Sequence, residues 1–179
     1  KDKFSISLPD EWVEIPREII DSYTKDLATL VPDAGHPHFD YAFQLQSSEN
    51  WFQYPYIVLQ VKNVGRIPEK ELKKLPRYIL SQNLAETQKK LSPVISDFKP
   101  GQIYYDQQNN IIWMQIEAFV EATGKVSGLT GLVPTEKGYI QISGYSFEEH
   151  SSTYKPVFQS IIKSVFIDRG LFIFCSFHG

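Results

Sequence analysis

The stretch Phe4–Pro16, FSISLPDEWVEIP, sets the reading of the whole chain. Phe4, Ile6 and Leu8 alternate with serines and so share one face of an extended segment, because side chains point to opposite sides of a strand with period two. Pro9 and Asp10 stop that run, and Trp12, Val13 and Ile15 are expected to plug the gap as the chain turns. Pro16 then opens PREIIDSYTKDLATL, in which Ile19, Ile20, Tyr23, Leu27 and Leu30 recur at helical spacing. A proline is tolerated there because the first-turn N–H groups of a helix have no intrahelical acceptor. The expectation is a strand followed by a packed amphipathic helix.

Further along, VPDAGHPHF (31–39) reads as a loop, since two prolines and a glycine break either regular pattern. Two strands follow, DYAFQLQ (40–46) and YIVLQVKN (56–63), each alternating and joined by SSENWFQYP (47–55). From Pro68 to Leu91 helical spacing returns, with Leu72, Leu75, Ile79, Leu80 and Leu84 on the apolar side and Glu86 placed to meet Lys90. Pro76 is expected to kink or split this helix. From Gly101 the chain becomes strand-rich: GQIYYD, IIWMQIEAFVE, VSGLTGLVP and YIQISGYSF are separated by QQNN, ATGK and TEKG. Such short turns allow only antiparallel neighbours, so the four strands form a meander. Ser152 is expected to cap a last helix that carries Pro156 near its start and Phe158, Ile161, Ile162 and Val165 on one face.

Runs of strands between separated helices predict an α+β domain, an antiparallel β-sheet of about six or seven strands covered by helices. The reading assigns residues 1–168 to this single domain and leaves 169–179 as an apolar tail. In the tail, Leu171–Phe177 is too short to span a bilayer, which takes about 20 residues, so membrane association is expected only through flanking segments. A first residue other than Met fits an exported chain whose leader has been removed.

The composition, 42% hydrophobic and 22% charged, is that of a globular domain. With 12 Phe, 10 Tyr and 3 Trp, the chain holds more flat side chains than a sheet core of this size needs, so some are expected to line a surface or pocket. A net charge of −3 gives no global electrostatic reason to bind nucleic acid, which requires a basic face, so no nucleic-acid partner is expected. Cys175 is the single cysteine, which excludes an intrachain disulfide and a multi-cysteine metal site while leaving the compartment open.

Taken together, FSISLPDEWVEIP, YIVLQVKN before a long charged helix, the meander with GYIQISGYS, and the terminal FQSIIKSVFID resemble the Mog/PsbP-like superfamily over about residues 4–168. The resemblance implies that fold and a bacterial envelope protein of the PsbP-like kind, located in the periplasm or cell envelope, with a cytoplasmic location as the alternative. Members of the superfamily mostly bind partners rather than catalyse. No cysteine near the start could carry a lipid, and no Ran-contact or metal motif of the superfamily matches this chain residue by residue. Those specific roles are not carried over, because a shared fold does not transfer an activity.

Read directly, the segment NWFQYPY places Trp51, Phe52, Tyr54 and Tyr56 within six residues beside a proline. Rings with polar handles are enriched at binding surfaces, which makes these four the candidate partner-binding residues, against the alternative that some fold back into the core. His36 and His38, with Asp33 and Asp40, are weak candidates for a divalent metal, since two imidazoles at this spacing match no strong metal motif. ATGKVSGLTGL lacks the spacing of a phosphate loop, and its glycines fit a strand with close backbone approach. SFEEHSS groups Glu148, Glu149, His150, Ser151 and Ser152, which suits the polar start of a helix better than a catalytic row. Lys70, Lys73, Lys74 and Arg77 are interrupted by Glu69 and Glu71 and read as a solvated face. Cys175, with His178 nearby, is no nucleophile candidate in an apolar tail. No catalytic residue is identified and no cofactor is called for.

The functional expectation is a non-enzymatic binding or accessory domain of the cell envelope that presents aromatic loops to a protein partner. The alternative is a small ligand carrier or enzyme with a pocket between sheet and helix.

Overall fold

The computed structural model describes residues 3–32, 38–81, 91 and 94–168. Its frame is a seven-stranded antiparallel sheet, confirming the predicted class. In chain order the elements are β1 (Lys3–Ser5), β2 (Trp12–Glu14), α1 (Arg17–Leu30), β3 (Tyr41–Leu45), β4 (Tyr56–Lys62), α2 (Glu69–Leu72) and α3 (Leu75–Ser81). There follow β5 (Ile95–Asp106), β6 (Ile111–Val120), β7 (Gly124–Pro134), β8 (Tyr139–Phe147), a 3-10 turn (Glu148–His150), α4 (Ser151–Lys163) and β9 (Phe166–Asp168). The large sheet runs β2-β3-β4-β8-β7-β6-β5. The predicted meander is therefore its second half, joined to the first through the β4–β8 pair.

Period-two alternation divides β4 between two cores. Ile57 and Leu59 face α4 and pack with Trp113, Ile142, Phe158 and Ile162, whereas Tyr56 and Val58 face α1 and pack with Ile15, Ile20 and Ala42. Each fully buried Ile or Leu contributes about 1.5–3 kcal/mol, so helices on both faces make β4 the centre of the fold. Alternation predicts one buried side for β3, yet Ala42 and Gln44 are buried as well as Phe43, because α1 covers their face. The β7–β8 glycines are where α4 comes down onto the sheet. A Cβ on Gly144 would lie 2.5 Å from the Phe158 ring, and one on Gly131 would collide with Ile162.

Several boundaries differ from the sequence expectation for identifiable reasons. Phe4, Ile6 and Leu8 do pack together against the α4-side core, but only Lys3–Ser5 pairs as a strand, and its partner is β9 in a separate two-stranded ribbon. Beyond Ser5 the ladder is replaced by a side chain: the Ser7 N–H donates to Ser164 Oγ at 2.9 Å, and that hydroxyl lies 3.3 Å from the Ser7 carbonyl. Trp12 is 6% exposed and meets Phe158 edge-on, as a plug would, but it does so from β2, the outer strand of the large sheet. Leu30 points outward because Val31, the next residue, takes the buried place as the chain leaves α1.

The helix expected over 68–91 is split, and the split falls at Lys73–Lys74 rather than at Pro76 itself. Pro76 has no N–H to give the Leu72 carbonyl and its ring would clash with it, so the first helix ends at Leu72 and Pro76 enters the first turn of the next. Leu72 is buried, with Leu75 and Ile79 partly so. The side chain of Leu80, together with Leu84 and the expected Glu86–Lys90 pair, lies outside the described residues, as does the tail from Arg169. Ser152 makes no cap: the 3-10 turn runs directly into α4, which starts at Ser151 with no side-chain cap bond. The first meander strand begins at Ile95, with register shifts between Ser96 and Lys99 and between Pro100 and Ile103. Such bulges and a proline are tolerated because β5 is an edge strand.

Candidate functional site

The β3–β4 connection is organised by one buried amide. Gln44, 2% exposed at the end of β3, donates through Nε2 to the Asn50 carbonyl at 3.1 Å and accepts the Phe52 N–H on Oε1 at 2.8 Å. Gln53 Oε1 accepts the N–H groups of Glu49 and Asn50, at 3.0 and 3.3 Å. Side-chain amides thus satisfy three N–H groups and one carbonyl of the loop in place of a strand partner. Phe52 sits at φ 58°, a left-handed conformation that costs a non-glycine residue about 1–3 kcal/mol. Its ring offsets that cost by stacking on Tyr23 of α1, with centroids 3.8 Å apart and planes at 14°. The same backbone twist leaves Trp51 facing solvent, 46% exposed.

From Phe52 the rings continue inward. Phe52 meets Tyr56 edge-on at 5.5 Å, Tyr54 stacks with Tyr56 at 5.2 Å and meets Phe147 at 5.0 Å, and Tyr56 lies 5.4 Å from Tyr145. The Tyr23 and Tyr56 hydroxyls are 3.5 Å apart. Burial pushes the phenols of Tyr56, Tyr145, Tyr23 and Tyr54 above the usual tyrosine range, Tyr56 most clearly, and neighbouring phenols push Tyr56 further the same way. All four are neutral hydrogen-bonding groups at neutral pH.

Of the four candidate residues, three are brought into one cluster: Phe52 and Tyr54 partly buried, Tyr56 only 8% exposed. Trp51, next to Phe52 in the chain, is exposed. Sequence reading does not bring Tyr23, Tyr145, Phe147 or Gln44 to this place. Periodicity assigns Tyr23 to the apolar stripe of its helix and alternates Tyr145 and Phe147 onto one side of β8, but neither pattern says which loop they face.

The other candidates are dispersed. His36, Asp33 and Cys175 lie outside the described residues. His38 is an exposed side chain 3.5 Å from Asp40 Oδ1, while Asp40 Oδ2 accepts the Val61 N–H at 2.8 Å. Among the described residues no group of three or more His, Cys, Asp or Glu is placed to hold a metal. Glu148, Glu149 and His150 form the 3-10 turn before α4. Lys73 pairs with Glu69 at 2.8 Å and Lys74 with Glu71 at 3.2 Å, an exposed, internally neutralised face.

At the opposite end of the sheet, a groove of about 430 Å³ opens between the loop after β4, the β5–β6 hairpin and the β7–β8 turn. Leu72, Ile67 and Pro134 are among its apolar lining, and Arg66, Glu69 and Glu136 among its polar lining. Those polar groups are engaged with protein: Arg66 lies 3.4 Å from Glu136, Glu69 holds Lys73, and the Tyr105 hydroxyl, also in the lining, donates to Asn110 at 2.8 Å. The one carboxyl in this region with a resolved shift, Asp106, is held low by the Asn109 side-chain amide, with further bonds from the Asn109 and Gln108 N–H groups and the Trp113 indole. It serves the hairpin turn.

No helix among the described residues is long and apolar enough to cross a membrane. No family model matches the chain, and no curated protein matches it. Among solved structures, the cyanobacterial PsbP (CyanoP) from Synechocystis sp. PCC 6803 superimposes with a TM-score of 0.57 at 11% identity, over 92% of this chain and 86% of that one. LpqN of Mycobacterium tuberculosis, described as involved in cell envelope biogenesis, gives a TM-score of 0.48 at 13% identity, over 93% of this chain and 84% of that one. Sheet order, paired helical faces and superposition over nearly the whole length lead to one conclusion: the chain has the PsbP-like α+β fold.

Proposed function

We propose that this is a non-enzymatic accessory domain of a bacterial cell envelope, acting in the periplasm, that docks a protein partner at the Trp51 end of its sheet. The observation that carries the reading is an exposed tryptophan in a loop whose neighbouring rings are packed together. Trp51 is the contact, Phe52 and Tyr54 flank it, and Tyr56 supports them from below. An aromatic side chain already held in place loses little conformational freedom on association, which is why such residues dominate interface energetics. A strained Phe52 backbone is consistent with that role, since strain persists where surrounding structure over-determines it.

The test places a photo-crosslinking aromatic amino acid at position 51 in the native host, with Val64, exposed toward the opposite end, as the control position. A discrete protein adduct from 51 and none from 64 is the expected result. No adduct from 51, or the same adducts from both positions, overturns the reading. A second reading, a small-ligand carrier, is favoured by the groove beside Arg66 and Glu136. It predicts that a ligand raises the melting temperature of the wild type and not of an Arg66→Ala, Glu136→Ala variant.

A further inference from the structure

We infer that the partner docked at Trp51 presents a basic peptide segment, its arginine or lysine side chains set against the indole face and an acidic rim. The inference rests on the docking reading above and adds the chemistry of the partner. Four connections meet at this end of the sheet. The turn before β2 is tied to the β3–β4 loop by the Gln46 N–H, which donates to the Glu11 carbonyl at 2.8 Å. Tyr54 in that loop touches Phe147 at the end of β8, and Phe147 pairs with Val126 just after the β6–β7 turn.

These connections carry Asp10, Glu11, Glu49, Glu121, Glu148 and Glu149, with Lys125 and His150 as the opposing groups in the same segments. Lys125 lies 3.5 Å from Glu148 and His150 3.6 Å from Glu149, which leaves the rim negative overall. At the groove end the same count gives near balance, Arg66, Lys70, Lys73, Lys74 and Lys137 against Glu69, Glu71, Asp106 and Glu136. The two ends therefore differ in charge as well as in ring content. A tryptophan face attracts a guanidinium or ammonium through its quadrupole, and a surrounding negative potential both steers that cation and rejects anionic partners. A phosphate-rich membrane surface is disfavoured by the same field.

The test uses the purified domain and a short peptide of alternating arginine and glycine, with its glutamate counterpart as control. Trp12 and Trp113 are buried, so quenching of the exposed tryptophan reports on position 51. The arginine peptide is expected to bind, with an affinity that falls as salt rises. Glu11→Gln, Glu49→Gln and Glu149→Gln together are expected to weaken it about tenfold, by loss of electrostatic complementarity. Trp51→Ala is expected to weaken the same peptide by a similar factor, read by calorimetry. Glu69→Gln, Glu71→Gln and Glu136→Gln at the other end are expected to change it by less than about twofold. Equal binding of the glutamate peptide, equal effects of the two triple variants, or preferential binding to anionic over zwitterionic vesicles overturns the inference. An adduct from position 51 with a flat arginine-peptide titration removes the basic partner and keeps the docking reading. A normal peptide response without an adduct leaves a surface that binds cationic side chains but removes the docked partner, and the inference with it.

Discussion

At the Trp51 end of the sheet, the connections between strands are locked by stacked rings and one buried amide. At the groove end the β5–β6 turn is held by hydrogen bonds to Asp106 and Asn110, and the neighbouring connections meet through the exposed ion pair Arg66–Glu136. Exposed pairs contribute about 0–1 kcal/mol each, because water screens them and long side chains lose freedom in making them. Rings at centroid separations of 3.8–5.5 Å add about 0.5–1.5 kcal/mol per pair beyond their burial. One end is therefore tied chiefly by ring packing and the other by polar contacts, and the ring-packed end is the one that carries the exposed tryptophan.

The most severe challenge to this contrast is Tyr56→Ala. It removes a ring that touches Phe52, Tyr54 and Tyr145, and is expected to cost about 3–5 kcal/mol in urea unfolding, the range for large aromatic truncations. Arg66→Ala at the groove end should cost under about 0.5 kcal/mol. Similar losses for the two variants would erase the distinction. Next in size is Gln44→Leu, which strands the Phe52 N–H and the Asn50 carbonyl; about 1–3 kcal/mol is expected, with a shift in tryptophan emission as the loop loosens. Unchanged emission would show that the amide does not position Trp51.

Alkali and acid should act on opposite ends. The folded-state pKa values of Tyr56 and Tyr145 are raised by burial, so their contribution is full below the unfolded tyrosine value of about 10 and is lost as pH rises toward the folded values. Unfolding midpoints should fall above that pH while phenolate absorbance lags that of the denatured chain. Asp106 is shifted down by the bonds from Asn109, so its smaller contribution is present above about pH 4 and is lost as pH falls through its folded value. The Asn109 side-chain amide resonances should report that loss while the aromatic cluster stays intact. The smallest effect expected is on stability in Trp51→Ala, within about 0.5 kcal/mol, because that side chain leaves no cavity behind. A large loss would assign Trp51 to the core and remove it as a docking contact.

Much of the fold was legible because it follows from local periodicity. The apolar stripe around Ile19, Ile20 and Tyr23 made α1, and alternation made β3, β4 and the meander. Short turns fixed the antiparallel order of β5 to β8. Where reading and structure part, the deciding contact is distant in sequence. Ser164 ends the β1 ladder from the far end of the chain, and α1 buries the polar-looking side of β3. The Pro76 break was legible in kind, and its position follows from the missing bond to Leu72, a local rule applied four residues upstream.

The candidate site was legible only as a density of rings in NWFQYPY. Composition and spacing identify rings that have to go somewhere, but the direction each one takes depends on what stands opposite. Tyr23 of α1 and Tyr145 of β8 draw Phe52 and Tyr56 inward, and Gln44 holds the backbone turn that sends Trp51 out. Residue order alone was enough for the α+β class, the strand order of the meander and the segment where rings concentrate, since those depend on neighbours a few residues apart. Which of four adjacent aromatics is buried and which is presented, and the meeting of four separate connections at that end of the sheet, emerged only on folding, because both depend on contacts that the completed sheet brings together.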